Sequence, residues 1–208
     1  MTARFIALEG GEGVGKSTQC RLLSEALAAR GVDCIATREP GGTPGGEAIR
    51  RLLLDPVGQG WGAEAEALLF AAARADHVAR LIRPALAAGK WVICDRFLDS
   101  SRAYQGVAGA LGDAAVRELH RIGSGGLLPD LVLLFDLAPD QAAHRLAGRG
   151  GGKDRIEARN ARFHASVAEA FRAFALAEPR RFATIDADGS PQAVAGRVLA
   201  AVMPLLGS

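Results

Sequence analysis

The sequence is short of the features that mark several functional classes. Its three cysteines, Cys20, Cys34 and Cys94, are odd in number, form no C-x-x-C pair and sit in apolar stretches. That excludes a paired disulfide framework and predicts reduced, packed thiols in a cytosolic, cytoplasmic protein. Four histidines, His77, His120, His144 and His164, are scattered without zinc-binding spacing, so no protein-held transition metal is expected. No apolar run approaches the length of a membrane span, and Met1-Thr2-Ala3-Arg4 leads directly into an apolar strand rather than a signal sequence. Charge of one sign is lacking too. With 25 basic and 23 acidic residues the formal charge is +2, too balanced to argue for nucleic acid or an anionic membrane as partner. No linker interrupts the 208 residues, and 49% hydrophobic content can bury a substantial core, so residues 1–208 are expected to form one α/β domain.

What is present begins at Gly10-Gly11-Glu12-Gly13-Val14-Gly15-Lys16-Ser17, which satisfies the phosphate-loop pattern G-x-x-x-x-G-K-[ST] at every required position. Phe5-Ile6-Ala7-Leu8 before it reads as a buried parallel strand. Ser17 to Arg30 after it carries Leu22, Leu23, Ala26 and Leu27 at helical spacing. Glycines let successive backbone N–H groups point into one concavity, and the helix starting there adds the positive end of its dipole. Lys16 is expected to reach the β- and γ-phosphates, and the Ser17 hydroxyl to ligate the Mg²⁺ that bridges them. A glycine-rich turn without a ligand is the bland alternative, but strand, loop and helix in this order predict binding of ATP or GTP.

Strands and helices then alternate. Gly31 is placed to end the first helix in a left-handed cap. A second strand, Cys34-Ile35-Ala36-Thr37, delivers Arg38-Glu39-Pro40-Gly41-Gly42-Thr43-Pro44-Gly45 to the edge where open α/β sheets bind ligands. Taken alone, that segment is equally a turn-rich loop with one ion pair. A helix is predicted over Glu47–Leu54, and a long, alanine- and leucine-rich one from Ala63 to about Ala88, kinked or broken at Pro84. Phe70 and Arg74 lie one turn apart on it. By residue type Phe70 reads as core and Arg74 as a rim charge; an aromatic plate beside a guanidinium is also what a nucleobase needs.

The third strand, Trp91-Val92-Ile93-Cys94, ends in Asp95-Arg96-Phe97, and the fourth, Leu131 to Phe135, ends in Asp136. Either aspartate occupies the place where phosphate-loop enzymes keep the carboxylate that orients Mg²⁺. Asp95 is preferred because Arg96 beside it supplies charge for an acceptor phosphate. Asp136 is expected to end its strand and help cap the helix starting near Pro139. The hydroxyl, amide and guanidinium groups of Leu98 to Gly106 fit recognition of a polar ligand, and equally an ordinary polar helix start. A modest helix is expected over Asp113–Ile122 and another over Pro139–Ala147. Residues 148–160, rich in glycine and arginine, read as a solvated loop or as a closing lid. Phe163, Val167, Phe171 and Phe174 mark an amphipathic helix, Phe182–Ile185 a fifth strand, and Ser190-Pro191 the cap and first turn of a last helix burying Val194, Val198, Val202 and Leu205. The predicted architecture is a doubly wound, five-stranded parallel sheet with helices on both faces.

The phosphate loop with its internal Glu12, the run Arg38 to Thr43, Phe70 with Arg74, Asp95-Arg96-Phe97 through Ala103-Tyr104-Gln105, and Asp154-Arg155-Ile156-Glu157 together resemble bacterial thymidylate kinase over nearly the whole chain. The resemblance implies transfer of the γ-phosphoryl group of ATP to dTMP, giving dTDP and ADP, with Mg²⁺, and a homodimeric assembly. It implies that Gly10 to Ser17, with Thr18, bind ATP. Arg96 holds the acceptor phosphate with help from Arg38, and Pro40 and Ser100 lie in the same dTMP site. Phe70 stacks on thymine, Arg74 bonds to its O4, and Ser101 and Gln105 lie along the base edge. Glu12 accepts from the 3′-hydroxyl and Tyr104 fills the space of a ribose 2′-hydroxyl. One branch of the family carries an arginine where this chain has Gly13. The missing charge is then expected from the lid residues Arg149, Lys153, Arg155 and Arg159, with Arg149 the first candidate for the γ-phosphate and Arg155 the second, since Arg155 also has Asp154 and Glu157 beside it. Two rivals share parts of this reading: a kinase for another nucleoside monophosphate, and a switch-type NTPase. A guanine-specific switch would carry N-K-x-D, which is absent.

Overall fold

The computed structural model describes residues 2–55, 60–148 and 154–207. In chain order the elements are β1 (Phe5–Glu9), α1 (Lys16–Ala28), β2 (Cys34–Arg38), α2 (Pro44–Leu54), α3 (Ala63–His77), a π-helical stretch (Val78–Ile82), α4 (Arg83–Ala87), β3 (Trp91–Asp95), α5 (Leu98–Ser101), a second π-helical stretch (Arg102–Ala108), α6 (Asp113–Ser124), β4 (Leu131–Asp136), α7 (Pro139–Ala147), α8 (Ala161–Ala177), β5 (Phe182–Asp186) and α9 (Pro191–Leu206).

The five strands form one parallel sheet in the order β2-β3-β1-β4-β5. Strand periodicity divides its side chains between two cores. Phe5, Ala7, Val92, Cys94, Val132 and Leu134 face one layer of helices together with Phe97, Val167 and Phe171. Ile6, Leu8, Trp91, Ile93, Leu133 and Phe135 face the other, with Leu23 and Leu27 of α1 and Val194, Val198 and Val202 of α9. Each fully buried aliphatic or aromatic side chain contributes ~1.5–3 kcal/mol over an exposed one. β1 lies between β3 and β4, with Leu8 opposite both Asp95 and Leu133. The strand that feeds the phosphate loop therefore has the Asp95-Arg96 turn at its side.

The expected helices are present, with instructive differences. The long helix beginning at Ala63 is locally broken just before Pro84, as the sequence implies. Its hydrogen-bond ladder widens into the π-helical stretch Val78–Ile82 and resumes as α4 with Pro84 in its first turn. That position lets the proline's missing N–H and bulky ring be accommodated without ending the helix. α2 starts three residues earlier than expected, because the Thr43 side chain caps it by accepting from Gly46 N and Pro44 takes the first turn. Asp136 corrects another expectation. α7 is preceded by Ala138 with no side-chain cap, and the Asp136 carboxylate instead pairs with Arg172 of α8 at 2.8 Å. On α9, Ser190 accepts from Ala193 N at 3.2 Å and Pro191 follows, as the sequence implies.

Candidate functional site

The phosphate loop runs from the end of β1 into α1. Gly10, Gly13 and Gly15 all have positive φ, at 140°, 76° and 97°, the region that only glycine enters without strain. Gly13 has a second constraint: a Cβ there would run into the backbone carbonyl of Ala142 on α7. The helix leading toward residues 148–160 is thus seated directly on the loop, and this is why an arginine at position 13 has no room here. The buried Lys16 Nζ donates to the carbonyls of Gly10 at 3.1 Å and Gly11 at 2.6 Å. Burial, then the positive charge of Arg96, bring the Lys16 ammonium down to about 8. Ser17, in the first turn of α1, donates from Oγ to Asp95 Oδ2 at 2.5 Å, so hydroxyl and carboxylate meet at the loop mouth. Thr18 is exposed beside it.

A cavity of about 250 Å³ opens in front of the loop between the ends of β1, β2 and β3 and helix α3. It brings together Glu12, Gly13, Gly15, Lys16, Ser17, Arg38, Pro40, Phe70, Arg74, Asp95, Arg96, Ser100, Ser101, Tyr104 and Gln105, residues scattered over more than ninety positions of sequence. Gly10, Gly11 and Val14 border instead a second, more apolar cavity of about 370 Å³ between the end of β4, α7 and α8. Arg149 and Lys153 lie outside the described residues. Arg155 donates from Nε and Nη2 to the Asp55 carbonyl at 3.0 and 2.7 Å. Arg159 pairs with Glu66 of α3 at 2.5 Å and lies over the Phe163 ring.

Arg96 is the centre of the cavity's polar wall. Its guanidinium reaches Glu12 Oε1 at 2.6 Å, the Gly10 carbonyl at 3.1 Å, Ser100 Oγ at 3.0 Å and Tyr104 Oη at 3.3 Å. Burial raises the Glu12 carboxyl, but the charges of Arg96 and Lys16 outweigh it and hold Glu12 down at about 2. Burial alone would lower the Arg96 guanidinium; the carboxylate of Glu12 more than reverses that and keeps it charged. Burial pushes the Tyr104 phenol well up, so it remains a donor, to Glu12 Oε1 at 2.9 Å.

The assignment of Arg74 to the rim is overturned, while Phe70 packs against the core and also faces the cavity. Arg74 is only 3% exposed, whereas Phe70 is half-buried with its ring in the cavity wall. The reason is a buried carboxylate that residue type alone did not reveal. Arg74 Nε donates to Glu39 Oε2 at 2.7 Å, and Nη2 to the Phe97 carbonyl at 3.0 Å and to Ser101 Oγ at 2.8 Å. Glu39 also meets His77 Nδ1 at 3.0 Å. Ser101 is therefore a partner of Arg74, and Gln105 is held by Glu66, accepting from Gln105 Nε2 at 2.9 Å. Sequence reasoning missed Glu39, Glu66, Glu9 and Arg50, the last a cavity residue donating to the Pro40 carbonyl at 2.8 Å. Glu9 had a usable signal, a charge closing an apolar strand beside Gly10; Arg50 had none. Arg74→Ala leaves Glu39 buried without its cation and is expected to cost ~3–5 kcal/mol in urea denaturation. A loss below ~1 kcal/mol, the range of exposed pairs, contradicts this picture of the pair.

The loop thus faces a cavity walled by Arg96, Arg74 and Arg38. The family profile described as "Thymidylate kinase" matches residues 8–198. The chain is 60% identical over 207 residues to the thymidylate kinase of Rhizorhabdus wittichii, covering 99% of this chain and all of that one. Identity to the Nitrobacter winogradskyi enzyme is 50% over 201 residues, covering 96% and 87%. The crystal structure of thymidylate kinase from Ehrlichia chaffeensis superposes with a TM-score of 0.80 at 30% identity, covering 97% of this chain and all of that one. The chain belongs to the thymidylate kinase family, whose reaction is the phosphorylation of dTMP to dTDP by ATP.

Proposed function

We propose that the two halves of this reaction are divided between the phosphate loop, which takes the ATP phosphates, and the cavity of about 250 Å³, which takes dTMP. The observation that carries this is Arg96, a part-buried guanidinium between the phosphate loop and the cavity wall. A phosphate oxygen of dTMP is already anionic at neutral pH, so its attack needs no general base. What it needs is relief of repulsion between two anions brought into line, and Lys16 on the donor side and Arg96 on the acceptor side supply it. Arg38 adds positive charge at the acceptor end. The facing Ser17 hydroxyl and Asp95 carboxylate suit a hard cation that uses few protein ligands. We assign them to Mg²⁺, which when bound neutralises charge on the ATP phosphate oxygens.

Phe70, in the cavity wall one turn from Arg74, offers its face to thymine, with Arg74 reading O4 and Ser101 and Gln105 along the base edge. Glu12 accepts from the 3′-hydroxyl, and the ring of Tyr104, bound to Glu12 and packed 5.1 Å from the Arg96 guanidinium, occupies the place of a 2′-hydroxyl. With ATP and Mg²⁺, a panel of natural monophosphates is expected to show dTMP as the preferred acceptor, and Tyr104→Ala to narrow the preference for dTMP over its ribo-analogue. An unchanged preference in a folded Tyr104→Ala variant removes Tyr104 from the sugar site.

Gly13 supplies no charge to the transferring phosphoryl group, so a further cation is required over the γ-position. The assignment of that role to Arg149 rests on its place after α7, the helix whose Ala142 carbonyl lies against Gly13. Arg155 is second because its guanidinium is bound to the Asp55 carbonyl. In single-turnover kinetics at saturating substrates, Arg149→Ala is expected to slow phosphoryl transfer roughly 10³-fold or more with little change in substrate affinity. Near-native rates in both the Arg149 and Arg155 alanine variants would place the compensating charge elsewhere.

The assembly we propose is a homodimer acting in the cytoplasm, with a second copy covering the α3–α6 side. That side presents Leu68 of α3 at 56% exposure and Ile122 of α6 at 68%. The free thiols fit a reducing compartment; burial pushes Cys20 up to about 12, leaving it inert. Sedimentation at micromolar concentration is expected to give twice the chain mass, and a Leu68→Glu/Ile122→Glu variant to give the monomer; a wild-type monomer overturns the assignment.

A further inference from the structure

One buried acid in the site is not used by the reaction as described. Glu9 closes β1 immediately before the phosphate loop and is 0% exposed. Its Oε1 accepts from the backbone N–H of Phe97 at 2.9 Å and of Ser100 at 3.1 Å, and its Oε2 from Ser100 Oγ at 2.5 Å. All three partners belong to the turn after β3 and to α5. Between them and the strand sits Arg96, held at φ 69°, a left-handed conformation that an arginine adopts only when its surroundings fix it. The Arg96 N–H donates to the Leu8 carbonyl at 2.9 Å, so the turn is pinned to β1 on both sides of its strained residue.

We infer that Glu9 is a positioning residue for the acceptor arginine: its carboxylate ties the Phe97–Ser100 backbone to β1 and orients the Ser100 hydroxyl, which in turn aims the Arg96 guanidinium. The hydroxyl is the relay. Its single proton is committed to Glu9 Oε2, so its oxygen lone pairs face Arg96 Nη1 at 3.0 Å. Arg96 then has a fixed choice of remaining acceptors, the Gly10 carbonyl, Glu12 and the Tyr104 hydroxyl. A carboxylate suits this place because every partner it meets is a donor. Burial first, and then the charge of Asp99 nearby, push the Glu9 carboxyl up to about 7. Asp99 itself is bound to Arg102 at 2.6 Å and Arg181 at 2.9 Å, which anchors the far side of the same helix. The role rests on the reading that Arg96 binds the acceptor phosphate, and the controls separate the two.

The test is steady-state kinetics, with urea denaturation in parallel, on Glu9→Gln, Ser100→Ala, Ser100→Thr and Arg96→Ala. Glu9→Gln keeps the shape but turns an NH₂ toward a hydroxyl that already receives Arg96. It is expected to raise KM for dTMP roughly tenfold or more while KM for ATP stays within about twofold, as a misaligned binding group does. Ser100→Ala keeps the two backbone bonds to Glu9 and removes only the relay. Its shift is expected in the same direction but smaller, and Ser100→Thr, which restores the hydroxyl, to recover most of it. If Glu9→Gln fails to fold, the two Ser100 variants decide the question. Native KM for dTMP in the folded Glu9 and Ser100 variants, beside a selective loss of dTMP use in Arg96→Ala, overturns the inference and leaves the Arg96 reading standing. Equal rises in both KM values overturn it too, because they indicate general distortion of the loop. An unchanged KM for dTMP in Arg96→Ala overturns the Arg96 reading itself.

Discussion

The site depends on one pairing, β1 beside β3, with Leu8 opposite Asp95. Parallel strands in register end at the same edge, so the phosphate loop that follows Glu9 and the Asp95-Arg96 turn emerge side by side. From that follow the meeting of Ser17 with Asp95 and of Glu12 with Arg96, contacts that span nearly eighty or more residues of sequence. A slip of one residue in either strand would turn Glu9 out of its buried place and remove the three bonds that hold the turn. The two cores on either face of the sheet resist such a slip, since every strand side chain alternates between them.

The electrostatics of the site are those of charges kept in low-dielectric surroundings by mutual neutralisation. Lys16 is buried and Arg96 part-buried in the same small region, and the charge of Arg96 lowers the affinity of Lys16 for a proton; Glu12 offsets both cations and is held strongly ionised as a result. Arg74 with Glu39 repeats the pattern at the far end of the cavity. Such pairs add little net stability, because desolvation consumes most of the Coulombic gain, but they hold guanidinium groups rigidly where a polyanion can be received. The close seating of α7 on Gly13 belongs to the same design: a loop without a side chain at that position lets backbone approach backbone.

Much of this was legible in the sequence, for reasons that can be named. The parallel strands read as short apolar runs because they are buried on both faces, and the phosphate loop fits a pattern in which each glycine and the lysine has its own physical duty. The neighbouring Arg96 favours Asp95 over Asp136 in the sequence; Ser17 bonds to Asp95, while Asp136 pairs with Arg172 on another helix. The failures share a cause. Arg74 reads as a rim charge because nothing in local sequence announces that Glu39, thirty-five residues away, is buried to meet it. Glu66 and Gln105 are a similar case. Buried polar pairs are tertiary facts, written in no periodicity. Pro84 is the converse case: a local irregularity in the long helix is legible from the proline alone, and the π-helical stretch just before it is that irregularity.

Every proposed role in the site requires the cavity in front of Arg96 to be the acceptor site. A crystal structure with dTMP and a non-hydrolysable ATP analogue tests it most directly. The dTMP phosphate is expected within hydrogen-bonding distance of the Arg96 guanidinium, with the thymine ring against Phe70. A monophosphate seated instead between α7 and α8, with Arg96 still bound to Glu12 and Ser100, would contradict it.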